Sequence, residues 1–169
     1  GAGLWKAGLS QGPGPLALAW AFKASSTLDS MLGYKQGRLR WLGTAGARLD
    51  DLLTWLPCRL VLITLPLVSM RWSQWPTTVR AAAADGRPDP SPNAGLSESI
   101  FAHCADVQMG GPNRYGNTWI NKPLLSAQSG KATASGVRKL SKLSLRLEGA
   151  WLVVAAGCLF VQQAPRSMG

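Results

Sequence analysis

The sequence is short of charge. Charged residues fill 15% of its 169 positions, against about 25% in ordinary soluble domains. Acid is scarcest, with eight Asp and Glu beside eighteen Lys and Arg, so each carboxylate can be weighed singly. A Ser/His/Asp triad, a zinc cluster and a P-loop are all absent. The one histidine, His103, is flanked by Phe101 and Cys104 and reads as a packed side chain rather than a catalyst. Three cysteines, Cys58, Cys104 and Cys158, are odd in number and widely spaced. They give neither a disulfide framework nor metal-ligand spacing.

What is present leans toward a membrane. Apolar residues reach 46%, and eight tryptophans favour the membrane interface. The net charge of +10 selects anionic partners, either lipid or small molecules. Nucleic acid is not expected, because the basic residues are scattered and no binding motif appears. The expected fold is mostly α: an integral membrane helical protein with motif-bearing loops, one membrane-embedded domain over 1–169, and no sheet of consequence.

Residues 15–24 (PLALAWAFKA) form an apolar run too short to span, and a helix is expected there. A loop with Lys35, Arg38 and Arg40 follows, then a helix at the membrane surface through Trp41 and Leu42. Residues 52–70 (LLTWLPCRLVLITLPLVSM) come close to spanning length. Pro57 and Pro66 interrupt the helical ladder, and Arg59 is costly in hydrocarbon. The segment is therefore expected to kink, re-enter or split into two short helices. Arg59 is read as snorkelling to the interface. Beyond an alanine-rich helix and the stretch discussed next, residues 117–136 read as a loop. Residues 137–147 (VRKLSKLSLRL) read as an amphipathic basic helix, and 149–161 (GAWLVVAAGCLFV) as an apolar one. The positive-inside rule places the basic helix in the cytoplasm.

The chain is organised around residues 85–116. In residues 91–95 (SPNAG), the preceding Pro90, then Pro92 and Gly95, argue against regular structure. Ser97 is expected to cap a helix, with Glu98 in its first turn. Ile100, Phe101, Cys104 and Val107 share a face, and Gly110-Gly111-Pro112 is expected to stop the helix. Exposed amides at a helix start, with Arg87 before and Arg114 after, suit an anionic ligand. A solvated surface loop is the plain alternative.

Three blocks carry a resemblance. PSPNAG at 90–95 with GGPNRYG at 110–116, TLDSMLGY at 27–34, and ARLDDL at 47–52 with WLPCRL at 55–60 stand in the order seen in the CobD/CbiB family. These are the adenosylcobinamide-phosphate synthases of cobalamin synthesis. The chain resembles roughly the C-terminal half of a typical member and lacks Met at position 1. It is expected to be a fragment, a truncated gene product or a divergent remnant. It departs from the family pattern at Ser26 (usually Asn), at Asp89 (often His) and at Leu96-Ser97 (usually Trp-Pro).

The resemblance implies amide formation between the amine of aminopropanol phosphate and a carboxylate side chain of adenosylcobyric acid, a corrinoid, with ATP and Mg²⁺. It also implies a multi-pass membrane protein of a bacterial inner membrane with a cytoplasmic active site. An activated acyl group, such as an acyl phosphate, calls for cations, a metal and a base. Asp29, Asp51 and Glu98 are the expected catalytic residues, and Asp50 with Asp51 the expected metal ligands. Arg48, Arg87, Ser91, Asn93, Gly95, Asn113 and Arg114 are expected to hold substrate or phosphate. On a helix, Asp50 and Asp51 would diverge by about 100°, so both reach one ion only from a loop. A helix-start charge pair is the alternative for them. The competing function is a truncated, non-catalytic basic membrane protein that binds anionic lipid or a partner subunit.

Overall fold

Helix α1 (Pro15–Leu32) opens on a proline, whose fixed φ and missing N–H suit a first turn. The Ser/Thr-rich part of the chain continues this helix rather than turning out of it. Thr27 Oγ1 donates to the carbonyl of Lys23 and Ser30 Oγ to that of Ser26, both at 2.8 Å. Hydroxyls satisfied four residues back leave no competing partner for a turn. Asp29 thus sits within a helix. The computed structural model describes residues 14–32 and 40–163; Lys35 and Arg38 of the expected loop lie outside them.

Helix α2 (Arg40–Val68) merges the expected surface helix, the Arg48-Asp50-Asp51 group and the apolar run. It passes through Pro57 and Pro66 without a break, so the expected re-entrant or split segment is corrected. Each proline removes one donor from a long ladder. The apolar residues around them have no other backbone partners to turn to, and Pro66 is packed with its side chain fully buried. The helix ends on a Schellman motif: Met70 takes φ 64°, its N–H reaches the Leu67 carbonyl at 3.1 Å, and Arg71 N–H reaches Pro66 at 3.1 Å.

Within α2, the 26 residues Gly43–Val68 contain an 18-residue window of mean hydropathy 1.6. At 1.5 Å per residue they reach about 39 Å, enough to cross a hydrocarbon core of about 30 Å. Leu52, Trp55, Leu56, Leu60 and Ile63 remain exposed along this helix. Among the described residues it is the one helix with the length and hydropathy to span. The runs at 15–24 and 149–161 are helical but fall short.

The chain divides into two compact units, Gly1–Pro57 and Cys58–Gly169. In the second, a 3₁₀ turn (Trp72–Gln74) leads into α3 (Trp75–Gly86), with proline in its first turn. Helix α4 spans Ala94–Ala105. Strands β1 (Met109–Tyr115) and β2 (Thr118–Leu125) pair antiparallel, with Tyr115 opposite Thr118. Gly116 and Asn117 make the two-residue turn. Gly116 takes φ 59° at the first turn position, as a type II′ hairpin requires. This hairpin corrects the expected loop at 117–136 over its first part; a single pair of strands leaves the chain mostly helical, as expected. Helix α5 (Ala134–Gln163) joins the expected basic and apolar helices into one.

The core of this second unit is built from Leu65 of α2, Ala82 of α3, Ile100 and Cys104 of α4, Val107, and Leu143 and Leu147 of α5. Two tryptophans tie α2 to its neighbours. Trp75 Nε1 donates to the Ile63 carbonyl at 2.8 Å, and Trp151 Nε1 to Thr64 Oγ1 at 3.3 Å.

Candidate functional site

Helices α3 and α4 meet backbone to backbone. A Cβ on Gly86 would lie 2.4 Å from the Gly95 carbonyl oxygen, and one on Gly95 would lie 2.3 Å from that of Gly86. Only glycine fits at either position. The loop between them is thereby pressed against α2.

That loop is internally satisfied. Ser91 N–H donates to Asp89 Oδ1 at 2.9 Å. Ser91 Oγ accepts from Ala94 N–H at 3.2 Å and Asn93 N–H at 3.4 Å, and the Ser91 carbonyl accepts from Gly95 N–H at 3.5 Å. Ser91 Oγ therefore takes two amides at the start of α4, whose N-cap residue is Asn93. Ser97, expected in that role, lies inside the helix, and its hydroxyl donates to the Asn93 carbonyl at 2.9 Å. Ala94 and Gly95 are helical, and Glu98 falls beyond the first turn. The reason is the same for all three: with Asn93 as its N-cap, the helix starts one turn earlier than a cap at Ser97 would allow. Gly110-Gly111-Pro112 does not end α4 either. The chain leaves the helix at Asp106, with φ 54°, and those three residues belong to β1.

Asn93 is buried and faces α2. Its Oδ1 accepts from Arg59 Nη1, and its carbonyl accepts from Cys58 Sγ at 3.2 Å. Arg59 is thus held by the central motif, which corrects the snorkelling reading. Arg59, Arg80 and Arg87 together line an open cleft of about 530 Å³, with Ala83, Ala84, Gly86, Pro92 and Leu96 completing its wall. No carboxylate lines it. Arg80 and Arg87 make no hydrogen bond or ion pair with described side chains, so both guanidinium groups are available to an anion. Arg80 went unnoticed in the sequence. Its signal was the spacing Arg80, Ala83, Ala84, Arg87, which is i, i+3, i+4, i+7 on one helical face. The two alanines keep the floor of the cleft low.

The remaining expected residues are not among those lining the cleft. Lys122 of β2 stands 3.8 Å from both Asp89 and Glu98, linking the hairpin to the loop. Arg114 Nε donates to the Gly116 carbonyl at 2.9 Å, and Asn113 Nδ2 to that of Gly111 at 3.0 Å; neither lines the cleft. Arg48, Asp50 and Asp51 lie on α2, and Thr54 Oγ1 donates to the Asp50 carbonyl at 2.7 Å. As successive helical positions the two carboxylates diverge by about 100°. Among the described residues no three His, Cys, Asp or Glu side chains gather.

Two further groups were missed. His103 Nε2 lies 2.9 Å from Asp85 Oδ2, which also accepts from Ser126 N–H at 3.0 Å. This joins α3, α4 and the end of β2, and no local pattern announces it. Asp106 receives Arg71 Nη2 and, at 2.8 Å, Lys139 Nζ. Partial burial alone would raise the Asp106 carboxyl. Hydrogen bonds from Lys139 and Arg71, with their charges, outweigh it and hold the group below its ordinary range. Burial pushes the Cys104 thiol up, so it is not poised as a nucleophile.

Comparison with known proteins matches this arrangement to a family. The family described as CobD/Cbib protein matches residues 4–144. The cobalamin biosynthesis protein CobD of Synechocystis sp. is 50% identical over 112 residues, covering 66% of this chain and 32% of the relative. The cobalamin biosynthesis protein CbiB of Salmonella paratyphi A is 39% identical over 120 residues, 69% of this chain and 37% of the relative. CobD of Yersinia enterocolitica is 35% identical over 125 residues, 73% of this chain and 39% of the relative. The chain spans about a third of the length of these curated relatives. No solved structure matches it. The glycine pair, the Ser91 hydroxyl and the Arg59–Asn93 link all fall inside the matched residues, and with most of its length covered the chain belongs to the CobD/CbiB family.

Proposed function

We propose that this chain carries part of a cobalamin-biosynthetic enzyme that joins the amine of aminopropanol phosphate to a carboxylate of adenosylcobyric acid. The relatives' names support the pathway. The reaction is supported by one observation, the acid-free cleft holding Arg59, Arg80 and Arg87 at the PSPNAG loop. A phosphate monoester carries close to two negative charges, and guanidinium groups bind its oxygens in a fixed fork. Fixing the phosphate fixes the amine at the other end of a short linker, which turns its encounter with the corrinoid carboxylate into an intramolecular one. ATP, when bound, supplies the activation of that carboxylate. The C–N bond forms as the activated oxygen departs, and the ammonium gives up its proton to a base; Glu98 and Asp29 are the candidates. Asp50 or Asp51 would be the carboxylate that holds a Mg²⁺ shared with the ATP phosphates, an ion that needs only one or two carboxylates and would neutralise phosphate charge. The enzyme works at the membrane of a bacterial cell, with the cleft on the cytoplasmic side, where both substrates are made.

The test uses the complete open reading frame that carries this chain. Rescue of a strain lacking the synthase, grown on cobyric acid, is expected, and its failure refutes the enzyme. In the purified enzyme, Arg80→Gln should raise KM for aminopropanol phosphate about tenfold or more, the loss of one charge-assisted contact of about 1.5–3 kcal/mol. KM for unphosphorylated aminopropanol should not move. Equal effects on both substrates, or none on either, would show that the cleft does not hold the phosphate.

A further inference from the structure

The basic residues of α5 are gathered on one face. Lys139, Lys142 and Arg146 occupy i, i+3 and i+7, with Leu143 between them at 4% exposure, locked into the core. That anchor turns the cations toward α4 and the end of α2. There, with Ser69, Arg71 and Cys104, they line a second cavity of about 270 Å³. It shares no residue with the arginine cleft. Its wall holds four cations and no carboxylate. Asp106, beside it, accepts from Arg71 and Lys139, so one negative charge is set against four positive ones. Lys142 and Arg146 have no ion pair among the described residues. Ser69 does not offer its hydroxyl, which donates to the Pro66 carbonyl at 2.9 Å.

We propose that this pocket binds the phosphate of an anionic phospholipid headgroup. The charge alone would serve any phosphate; the position selects a lipid. Ser69 and Arg71 come directly after Gly43–Val68, whose 26 residues exceed the roughly 20 that cross a bilayer, so its last turns rise out of the hydrocarbon and the pocket stands at headgroup level. Headgroup phosphates lie at that level, and basic residues there bind them electrostatically. Past Arg146, α5 turns apolar, with Leu152, Val153 and Val154 exposed at 71%, 72% and 63%. A diacyl lipid gains from such a surface, whereas a free phosphate ion does not.

The test is thermal unfolding of the full chain in neutral detergent, titrated with short-chain phosphatidylglycerol, with phosphatidylcholine of the same chain length, and with inorganic phosphate. Phosphatidylglycerol should raise the midpoint by mass action, and the other two should not. Each cation removed should weaken binding on the order of fivefold, so Lys142→Gln with Arg146→Gln should cost roughly 25-fold. Arg138→Gln, outside the pocket, should leave binding unchanged. Far-UV circular dichroism checks the fold of each variant; if the double variant is unfolded, Lys142→Gln alone is read, with its fivefold loss. Equal shifts with the two lipids, a matching shift with inorganic phosphate, or unchanged affinity in the Lys142 and Arg146 variants would each overturn the proposal. So would an equal loss in Arg138→Gln.

Discussion

Gly95→Ala sets two rules against each other. By helix propensity alone, alanine should stabilise α4 by about 1 kcal/mol over glycine. The packing says the reverse. The new Cβ would sit 2.3 Å from the Gly86 carbonyl oxygen and 2.5 Å from Asp89 Cβ, where ordinary contact begins at 3.4 Å. The obstacle is backbone, so no rotamer change relieves it, and α3 and α4 must part by about 1 Å. Overpacking of this kind costs about 1–3 kcal/mol, and a backbone clash belongs at the upper end. The expected net loss is therefore about 2 kcal/mol, read as a drop of several degrees in thermal midpoint. Gly149→Ala is the control: nothing lies within 4 Å of its Cβ, and propensity should raise the midpoint. The assay is thermal unfolding of both variants beside the unsubstituted chain in one detergent. An unchanged or higher midpoint for Gly95→Ala would refute the close helix contact, and with it the reason the loop is pressed against α2.

Asp106→Asn isolates a charge, because asparagine tolerates the left-handed backbone at that position. A carboxyl held below its ordinary pKa stabilises the fold above its unfolded value and loses that stability as pH falls through the folded one. The unsubstituted chain should thus lose stability below about pH 4 relative to Asp106→Asn, by less than about 1 kcal/mol since the side chain is half exposed; parallel pH profiles of unfolding would sink the argument. Met70→Gly should stabilise by about 1 kcal/mol, because φ 64° at the Schellman position strains any residue with a Cβ. A lower midpoint for Met70→Gly would show that the methionine side chain contributes more through packing than its backbone costs.

Legibility followed the range of the physics. Helices at 75–86 and 94–105 were readable from local pattern, because their apolar faces and punctuation lie within a few residues. The hairpin was also readable: Gly116-Asn117 between Tyr115 and Thr118 is a two-residue turn signal, obscured by the glycines and proline before it. The cap of α4 was misplaced because Asn93 and Ser97 are both good N-caps as isolated residues. What decides between them is Gly86, which admits the earlier helix start by leaving room for Gly95. Pro57 and Pro66 misled for a related reason, since a proline's cost to a helix is local while the benefit of a continuous apolar helix is summed over its length. Asp85 with His103 and Ser126 could not have been found, being contacts 18 and 41 residues apart with no periodicity to betray them.

The arginines themselves sort by what stands opposite them. Arg71 faces Asp106, a carboxylate shared with Lys139, and its interactions close the start of the α3 segment onto α4 and α5. Two cations thus share one carboxylate. Arg80 and Arg87 face each other across Ala83 and Ala84, with no acid in the wall between them. Two like charges held on one helical face repel, and no acid in the cleft wall offsets that cost, so an entering anion would be favoured. Arg59 adds a third cation from α2 and donates to Asn93 Oδ1. The contrast separates Arg71, which is set against an acid, from Arg80 and Arg87, whose cleft wall carries none, and the proposed phosphate site rests on the latter pair.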